Sequence, residues 1–287
     1  MQQLQRRLDV ARYAAQTAAV LASRRFVKRE TLEVFSKGAQ DRVTEVDRST
    51  ESLIRTIIER HFPGEAILGE EYGGAAPQQG EAGLWVIDPI DGTDCFVFGL
   101  PMWCISIAWI TAGEAQVGVI YDPVHDETFS AVKNGGAFCN DRPIHASDAS
   151  NVDQGVFGIG YSTRIAPEAT LAPLEHLLRQ GGMFHRCGSG ALSLAWVAAG
   201  RLVGYYEPHI NSWDCLAGLV LIREAGGWHS DFLAGDGLLK GNPLAACGPN
   251  LIEATLEQPV TSQEDAVPTA SLANEDNASK AVPGVDV

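Results

Sequence analysis

The chain has few basic residues and no long apolar run, and each absence excludes a class of protein. It contains 21 Lys and Arg against 36 Asp and Glu among 287 residues, which gives a formal net charge of -15. Nucleic-acid coats and polybasic membrane patches need clustered Lys and Arg, so neither is expected. No segment approaches the roughly 18 apolar residues of a membrane helix, and charged residues interrupt positions 1–26 where a secretory segment would stand. We therefore expect a cytoplasmic protein that binds neither nucleic acid nor membranes.

The six cysteines and seven histidines are too dispersed for a zinc site. No C-x-x-C pair and no His-x-x-x-His pair occurs, and these are the spacings typical of zinc ligands. The cysteines stand among apolar or small neighbours, which predicts buried, reduced thiols rather than disulfides.

Hydrophobic periodicity predicts alternating helices and strands along most of the chain. Strands 66–68, 84–87, 104–111, 116–121 and 128–132 follow one another with turn signals between them and suggest an antiparallel meander. No linker interrupts residues 1–257, so we expect a single catalytic domain there. Residues 258–287 are rich in Pro, Ser, Ala and acids, which predicts a disordered acidic tail. The predicted helices cover 4–27, 47–61, 169–179, 189–199 and 215–225, and three further strands cover 155–159, 183–186 and 202–207.

The most informative stretch is the apolar run 84–87, which is followed at once by two carboxylates, Asp88 and Asp91. Pro89 separates the two acids and Gly92 comes directly after them, so we expect both acids to leave the strand end on a tight turn. Hard oxygen ligands suit Mg²⁺, which usually binds through a few carboxylates together with substrate phosphate oxygens. The sequence therefore favours a metal-dependent phosphatase.

Two other acidic segments could join this pair. Glu70 and Glu71 end another short apolar strand, and because successive strand side chains point to opposite faces, at most one of them can face the site of Asp88. We choose Glu70, although such a pair taken alone is usually a solvated loop. Asp214 stands at the start of an apolar helix, where it could cap the helix or project toward a cation.

Together these segments resemble the inositol monophosphatase family of Mg²⁺-dependent, lithium-sensitive phosphatases, whose pattern is G-E-E, then D-P-[IL]-D-G-T, then W-D. The resemblance extends from Lys37 and the segment 44–47 to Gly226-Gly227, and it includes 118–123 and 133–140. It implies an α/β fold of the α+β type, a layered α/β/α/β/α sandwich of the sugar-phosphatase kind, assembled as a homodimer.

The resemblance also implies residue roles. Two or three Mg²⁺ ions would be held by side chains and one carbonyl, Asp88 bridging two of them and Glu70 serving the site that positions the nucleophilic water. Asp47 and Thr93 would form the relay that polarises this water. The implied metal ligands are Glu70, Asp88, the Ile90 carbonyl, Asp91 and Asp214.

The implied substrate contacts come from both halves of the chain. Backbone N–H groups of Gly92 and Thr93 at a helix start would hold phosphate oxygens. Gly190 in the small-residue turn 188–191 would line the pocket, and Glu207 and Asp214 would accept hydrogen bonds from substrate hydroxyls. Close helix packing for the glycine and a surface location for Glu207 are the alternatives. Lys37 could add positive charge near the site or be a solvated surface lysine.

One departure from the family pattern follows Thr93, where Asp94-Cys95 replaces the usual Thr-Asn. The Asp94 carboxylate could interact favourably with the positive end of the following helix. Alternatively, it could select a substrate that bears an amine or weaken the binding of a doubly anionic substrate.

The resemblance makes myo-inositol 1-phosphate the leading substrate, cleaved by direct attack of metal-activated water. The expected substrate is thus a small phosphorylated polyol or amino alcohol. Histidinol phosphate, fructose 1,6-bisphosphate and 3'-phosphoadenosine 5'-phosphate are alternatives within the same chemistry. A regulatory binding protein that retains the fold is the alternative from another class.

Overall fold

The computed structural model describes residues 1–32, 34–38, 41–74 and 83–252. The predicted tail, residues 258–287, lies outside the described residues, as does the side chain of Lys37. Within the described ranges, no helix combines the length and the apolar character needed to cross a bilayer.

Seven α-helices are described, and the five longest are the helices that periodicity predicts. A capping box of Thr44 and Asp47 fixes the start of the second helix. The Thr44 side chain accepts a hydrogen bond from a backbone N–H of the first turn, and the Asp47 carboxylate accepts one from the Thr44 N–H. The short third helix follows Gly92, whose φ of 94° is the left-handed conformation that glycine adopts without strain. The helices are α1 Gln2–Val27, α2 Glu45–His61, α3 Thr93–Phe98, α4 Glu168–Arg179, α5 Gly190–Ala198, α6 Ser212–Glu224 and α7 Gly237–Lys240.

The described strands form three sheets. A seven-stranded sheet has the order β3-β4-β5-β6-β7-β8-β9, a five-stranded sheet has the order β11-β10-β12-β14-β13, and β1 pairs with β2. The strands are β1 Val34–Gly38, β2 Asp41–Thr44, β3 Ala66–Gly69, β4 Leu84–Asp91, β5 Cys104–Thr111, β6 Glu114–Asp122, β7 Glu127–Val132, β8 Ala137–Cys139, β9 Arg142–Pro143, β10 Val156–Ile159, β11 Met183–His185, β12 Gly204–Ile210, β13 Trp228–His229 and β14 Asn242–Cys247.

The large sheet is the predicted meander with one difference. Strands β4 to β9 pair antiparallel in chain order, but β3 pairs with β4 in parallel. The parallel pair brings the carboxyl end of β3 beside Ile87 and therefore beside Asp88. The segment carrying Glu70 and the segment carrying Asp88 thus meet at the end of this parallel strand pair.

The elements stack in five layers, which confirms the predicted α/β/α/β/α sandwich. Helices α1 and α2 bury alanines and isoleucines against one face of the large sheet. Helices α5 and α6 fill the space between the large sheet and the five-stranded sheet. Helix α4 packs on the outer face of the small sheet, where Leu177 contacts the cluster around Phe157. Helix α6 is apolar on all sides because it is buried between two sheets.

The structure corrects the expected turn after residue 87. Strand β4 continues to Asp91, and its pairing with β5 shifts between Asp88, opposite Ser106, and Asp91, opposite Cys104. Two residues of β4 stand against one of β5, which is the signature of a β-bulge. Pro89 has no N–H to donate, so a proline inside a sheet is tolerated at such a bulge.

Candidate active site

Three carboxylates from two elements meet at the base of a cavity of about 700 Å³. One oxygen atom from each of Asp88, Asp91 and Asp214 lies within 4.8 Å of the other two. The β4 bulge supplies the first two acids, and the first turn of α6 supplies the third. Asp88 is 1% and Asp91 is 7% exposed, so water solvates neither carboxylate freely.

Asp91 is held by the start of α5. Its Oδ2 atom accepts hydrogen bonds from Ser189 Oγ at 2.5 Å and from the Ala191 N–H at 2.6 Å. Burial outweighs these bonds, and together with the negative charge of Asp214 it raises the pKa of Asp91 to about 7.

Asp214 caps helix α6 and also faces the other two aspartates. Its Oδ2 atom accepts from the Asn211 N–H at 3.1 Å and from Asn211 Nδ2 at 3.2 Å, which completes the capping box of α6. The same carboxylate faces Asp88 and Asp91 in the cavity. Burial raises the pKa of Asp214 as well.

The donor set fits a divalent cation. Burial raises the pKa of Asp88 well above its ordinary value, and the charges of Glu70, Asp91 and Asp214 raise it further. Several carboxylates that repel one another away from water are stabilised when a cation lies between them. All the side-chain donors are carboxylate oxygens, which is the preference of Mg²⁺ rather than of zinc or copper. The cluster could therefore bind a hard metal ion.

Of the adjacent acids at the end of β3, only Glu70 lines the cavity. The Glu70 N–H donates to the Ile87 carbonyl at 3.2 Å and so continues the parallel pairing beyond β3. The Glu71 carboxylate is 2% exposed and lies 4.0 Å from Arg48, away from the three aspartates.

Asp47 and Thr93 are in contact, as expected of a relay. Thr93 Oγ1 lies 3.2 Å from Asp47 Oδ1 and 3.0 Å from the Ile90 carbonyl, so its single proton can go to either acceptor. Asp47 is 0% exposed, and its other oxygen accepts from Thr44 N at 2.8 Å and Thr44 Oγ1 at 2.6 Å. Burial raises the pKa of Asp47, which makes its carboxylate a stronger base.

The predicted substrate residues also line the cavity. Gly92 cannot carry a side chain, because an added Cβ would lie 2.7 Å from the Met102 carbonyl. Gly190 and Glu207 line the cavity together with Tyr205, whose hydroxyl donates to the Glu207 carboxylate. Burial raises the pKa of Glu207 to about 8. Asp94 lines the cavity beside Thr93.

Sequence reasoning missed several residues of the site and placed Ser189 only in the pocket-lining turn 188–191, without its contact to Asp91. Ser189 and Asn211 orient Asp91 and Asp214, and the Asn-x-x-Asp spacing of the second pair is a capping signal that the sequence displays. Arg164 and Arg186 line the cavity from the loops after β10 and β11, and no local pattern marks them. Neighbouring parallel strands bring these loops together, and that pairing is not visible in either segment alone.

The fold and the site define a layered α/β protein with an acidic cavity that could hold a cation. Comparisons with known proteins give its family. The model of the inositol monophosphatase family matches residues 3–264. The chain therefore belongs to the inositol monophosphatase family. This confirms the resemblance that the motifs indicate.

Relatives of two names are similar to this chain. The Nus factor SuhB of Pasteurella multocida is 36% identical over 262 residues, which cover 90% of this chain and 97% of the relative. The inositol-1-monophosphatase of Mesorhizobium japonicum is 36% identical over 251 residues, covering 87% and 94%.

Solved structures of the family share the fold. The crystal structure of the extragenic suppressor protein suhB from Bartonella henselae has a TM-score of 0.81 at 31% identity and covers 88% of this chain and 98% of that chain. The inositol monophosphatase of Anabaena has a TM-score of 0.71 at 35% identity and covers 86% and 92%.

Proposed function

We propose that the protein is a Mg²⁺-dependent phosphatase that hydrolyses a small phosphate monoester, with myo-inositol 1-phosphate as the leading substrate. The observation that carries the proposal is the convergence of Asp88, Asp91 and Asp214 within 4.8 Å at the base of a cavity that also contains Thr93. Two or three Mg²⁺ ions are proposed there, with Glu70 and the Ile90 carbonyl as further ligands.

In this proposal Mg²⁺ would supply a water of lowered pKa and neutralise charge on the phosphoryl group. The chain's own residues orient and accept protons. The Asp47 carboxylate holds the Thr93 hydroxyl proton, which leaves an oxygen lone pair of Thr93 free to accept a hydrogen bond from the attacking water. The raised pKa of Asp47 suits it to take up a proton through Thr93.

Phosphate and leaving group are proposed to bind at different walls of the cavity. Backbone N–H groups of Gly92 and Thr93 would donate to phosphate oxygens, because the first N–H groups of a helix lack helical partners. Glu207, Gly190 and Asp214 line the part of the cavity that would receive the alcohol. Glu207 can accept a hydrogen bond from a hydroxyl, or it can hold an amine once ionised.

A phosphate-release panel in the presence of Mg²⁺ tests the substrate. It contains myo-inositol 1-phosphate, histidinol phosphate, fructose 1,6-bisphosphate and 3'-phosphoadenosine 5'-phosphate. The proposal predicts the highest kcat/KM for the inositol ester. Preference for histidinol phosphate would instead assign an amine-binding role to Asp94 or Glu207, and equally feeble release from every ester would contradict the inositol assignment.

A second candidate is a regulatory role that depends on binding rather than hydrolysis. It is favoured by the name Nus factor SuhB, carried by a relative that is 36% identical along 97% of its length. Because a relative carries this name, the expectation that the protein binds no nucleic acid remains a prediction. If an Asp91→Asn variant lost hydrolysis but still gave a deletion strain the wild-type phenotype, this role would be favoured over catalysis.

We further propose that residues 1–257 act as one catalytic domain in a homodimer. Exposed apolar side chains on α4 and β11 support this proposal, because such surfaces often mark contacts with another protein chain. These side chains are Leu171, Leu178, Met183 and Phe184. Light scattering on the intact chain would give the dimer mass, and Met183→Glu would shift it toward the monomer mass. A monomer at all concentrations would contradict the proposal.

A further inference from the structure

We infer that Glu51 and Arg55 of α2 form a positioning pair that holds Glu70 at the proposed metal centre. The inference rests on the proposed function in one respect, since it takes Glu70 to be a metal ligand. It concerns two residues that line no part of the cavity and bind no substrate.

The first observation is a buried carboxylate directed at the backbone beside Glu70. Glu51 is 0% exposed, and its Oε2 atom accepts from the Glu71 N–H at 2.7 Å. Its Oε1 atom accepts from the Tyr72 N–H at 3.4 Å. A Cβ at Gly69 would lie 2.0 Å from Glu51 Oε1, so the strand end fits closely against this carboxylate. Glu51 therefore contacts the chain on both sides of Glu70.

The second observation is that Arg55 closes the same turn from the other side. Its Nε atom donates to Glu51 Oε1 at 2.7 Å, and its Nη2 atom donates to the Gly73 carbonyl at 2.6 Å. The Gly73 carbonyl also accepts from the Gly69 N–H at 3.0 Å. One guanidinium thus joins the buried carboxylate to the end of a turn that begins at Gly69. Lysine could not make both contacts, because its ammonium lacks the planar fork.

These contacts fix Glu70 relative to the aspartates. The Glu70 N–H bonds to Ile87, the residue before Asp88, while its neighbour Glu71 bonds to Glu51. The same helix carries Asp47 in its first turn, in contact with Thr93. Helix α2 therefore links the relay to the segment that presents Glu70, and residues that orient metal ligands in this way usually contribute 10- to 100-fold to metal affinity.

The variant Arg55→Met separates a positioning role from a purely electrostatic one, because the two roles predict opposite changes in Mg²⁺ affinity. Arg55→Met removes a positive charge from the neighbourhood of the acids, so a purely Coulombic effect would tighten Mg²⁺ binding. Loss of the positioning contacts would weaken it. Arg55 is partly exposed, with a side-chain exposure of 26%, so the variant leaves no fully buried void.

The experiment is calorimetric titration of the metal-free full chain with Mg²⁺, together with the Mg²⁺ dependence of phosphate release. We expect Arg55→Met and Glu51→Gln each to raise the Mg²⁺ dissociation constant of the Glu70 site, and the Mg²⁺ concentration for half-maximal release, by about tenfold or more. Glu59→Gln is the matched control, because Glu59 is an exposed acid on the same helix. Its Mg²⁺ affinity should equal that of the wild type.

A double variant tests whether the pair acts through Glu70. Glu51→Gln combined with Glu70→Gln should bind Mg²⁺ no more weakly than Glu70→Gln alone, since the positioned ligand is already lost. Unchanged or tighter Mg²⁺ binding by Arg55→Met would overturn the inference, and so would additive losses in the double variant. If the wild type released phosphate from no ester, the proposed function would fail while the calorimetric titration would still decide this inference.

Discussion

Asp91 is the residue at which stability and proposed function oppose each other most clearly. It is 7% exposed and faces two other carboxylates, with Ser189 and Ala191 as its hydrogen-bond donors. Burial of this charge is unfavourable in the metal-free protein, which is why its pKa rises to about 7. A cation would relieve the repulsion that the fold imposes.

Asp91→Asn should therefore separate activity from stability. Loss of a metal ligand should lower phosphate release by at least about a hundredfold, equivalent to a few kcal/mol of transition-state stabilisation. The amide removes a buried charge while its oxygen still accepts from Ala191, so the melting temperature of the metal-free protein at pH 8 should rise. Asp153→Asn, on an exposed acid, is the control for both measurements. A variant with full activity would exclude Asp91 from the metal centre.

Among the elements, α1 shows how a surface helix is fixed to the large sheet. Arg7 pairs with Glu65, and the indole N–H groups of Trp85 and Trp109 donate to the same carboxylate at 2.8 and 3.1 Å. Arg7 also lies over the Trp109 ring at 4.2 Å. One carboxylate thus satisfies three donors that would otherwise lose their partners.

Glu65→Ala should lower the free energy of unfolding by about 2 kcal/mol, because it leaves a partly buried guanidinium and two indole N–H groups without their acceptor. Urea denaturation would measure the change, with Asp153→Ala, on an exposed acid outside this cluster, as the control. The Mg²⁺ affinity should not change, since this cluster lies away from the cavity. A loss equal to that of the control would show that α1 is fixed mainly by its apolar face.

The elements also show what sequence can and cannot predict here. Helix α2 and strand β5 carry clear periodicity, and the sequence places both correctly. The sequence does not predict strands β13 and β14, because these strands are fixed by pairing with each other and with β12, which lies on the far side of α6 in the chain. The acids of the site were predicted since they sit in specific local motifs. Ser189, by contrast, reaches Asp91 only through the packing of α5 on the large sheet, which no local pattern encodes.

For the whole molecule, the raised pKa values link stability to pH. Asp91 and Glu207 have pKa values of about 7 and about 8 in the folded protein, against about 4 in an unfolded chain. Between these two limits the folded state binds more protons, so stability falls as the pH rises from about 4 to about 8 and levels off above that. The metal-free protein should therefore lose melting temperature between about pH 5 and about pH 8. Saturating Mg²⁺ should reduce the loss, and Asp91→Asn should flatten the curve; a melting temperature that rose over this range would contradict the pKa shifts.

Truncation tests the predicted division of the chain. Removal of residues 258–287 should leave melting temperature and phosphate release nearly unchanged, because this segment has almost no large apolar residue to bury. Truncation after Glu264 is the matched control, since it keeps the whole segment that the family model matches. A loss in the shorter chain alone would move the domain boundary toward residue 264, and a loss in both would contradict a disordered tail.

The most direct measurement is anomalous diffraction from crystals of the full chain soaked in Mn²⁺, which takes the same oxygen ligands as Mg²⁺. We expect at least one strong peak between the carboxylates of Asp88, Asp91 and Asp214, with a further peak on the Glu70 side. If Mn²⁺ bound elsewhere and left no anomalous density between these three carboxylates, they would not form a metal site.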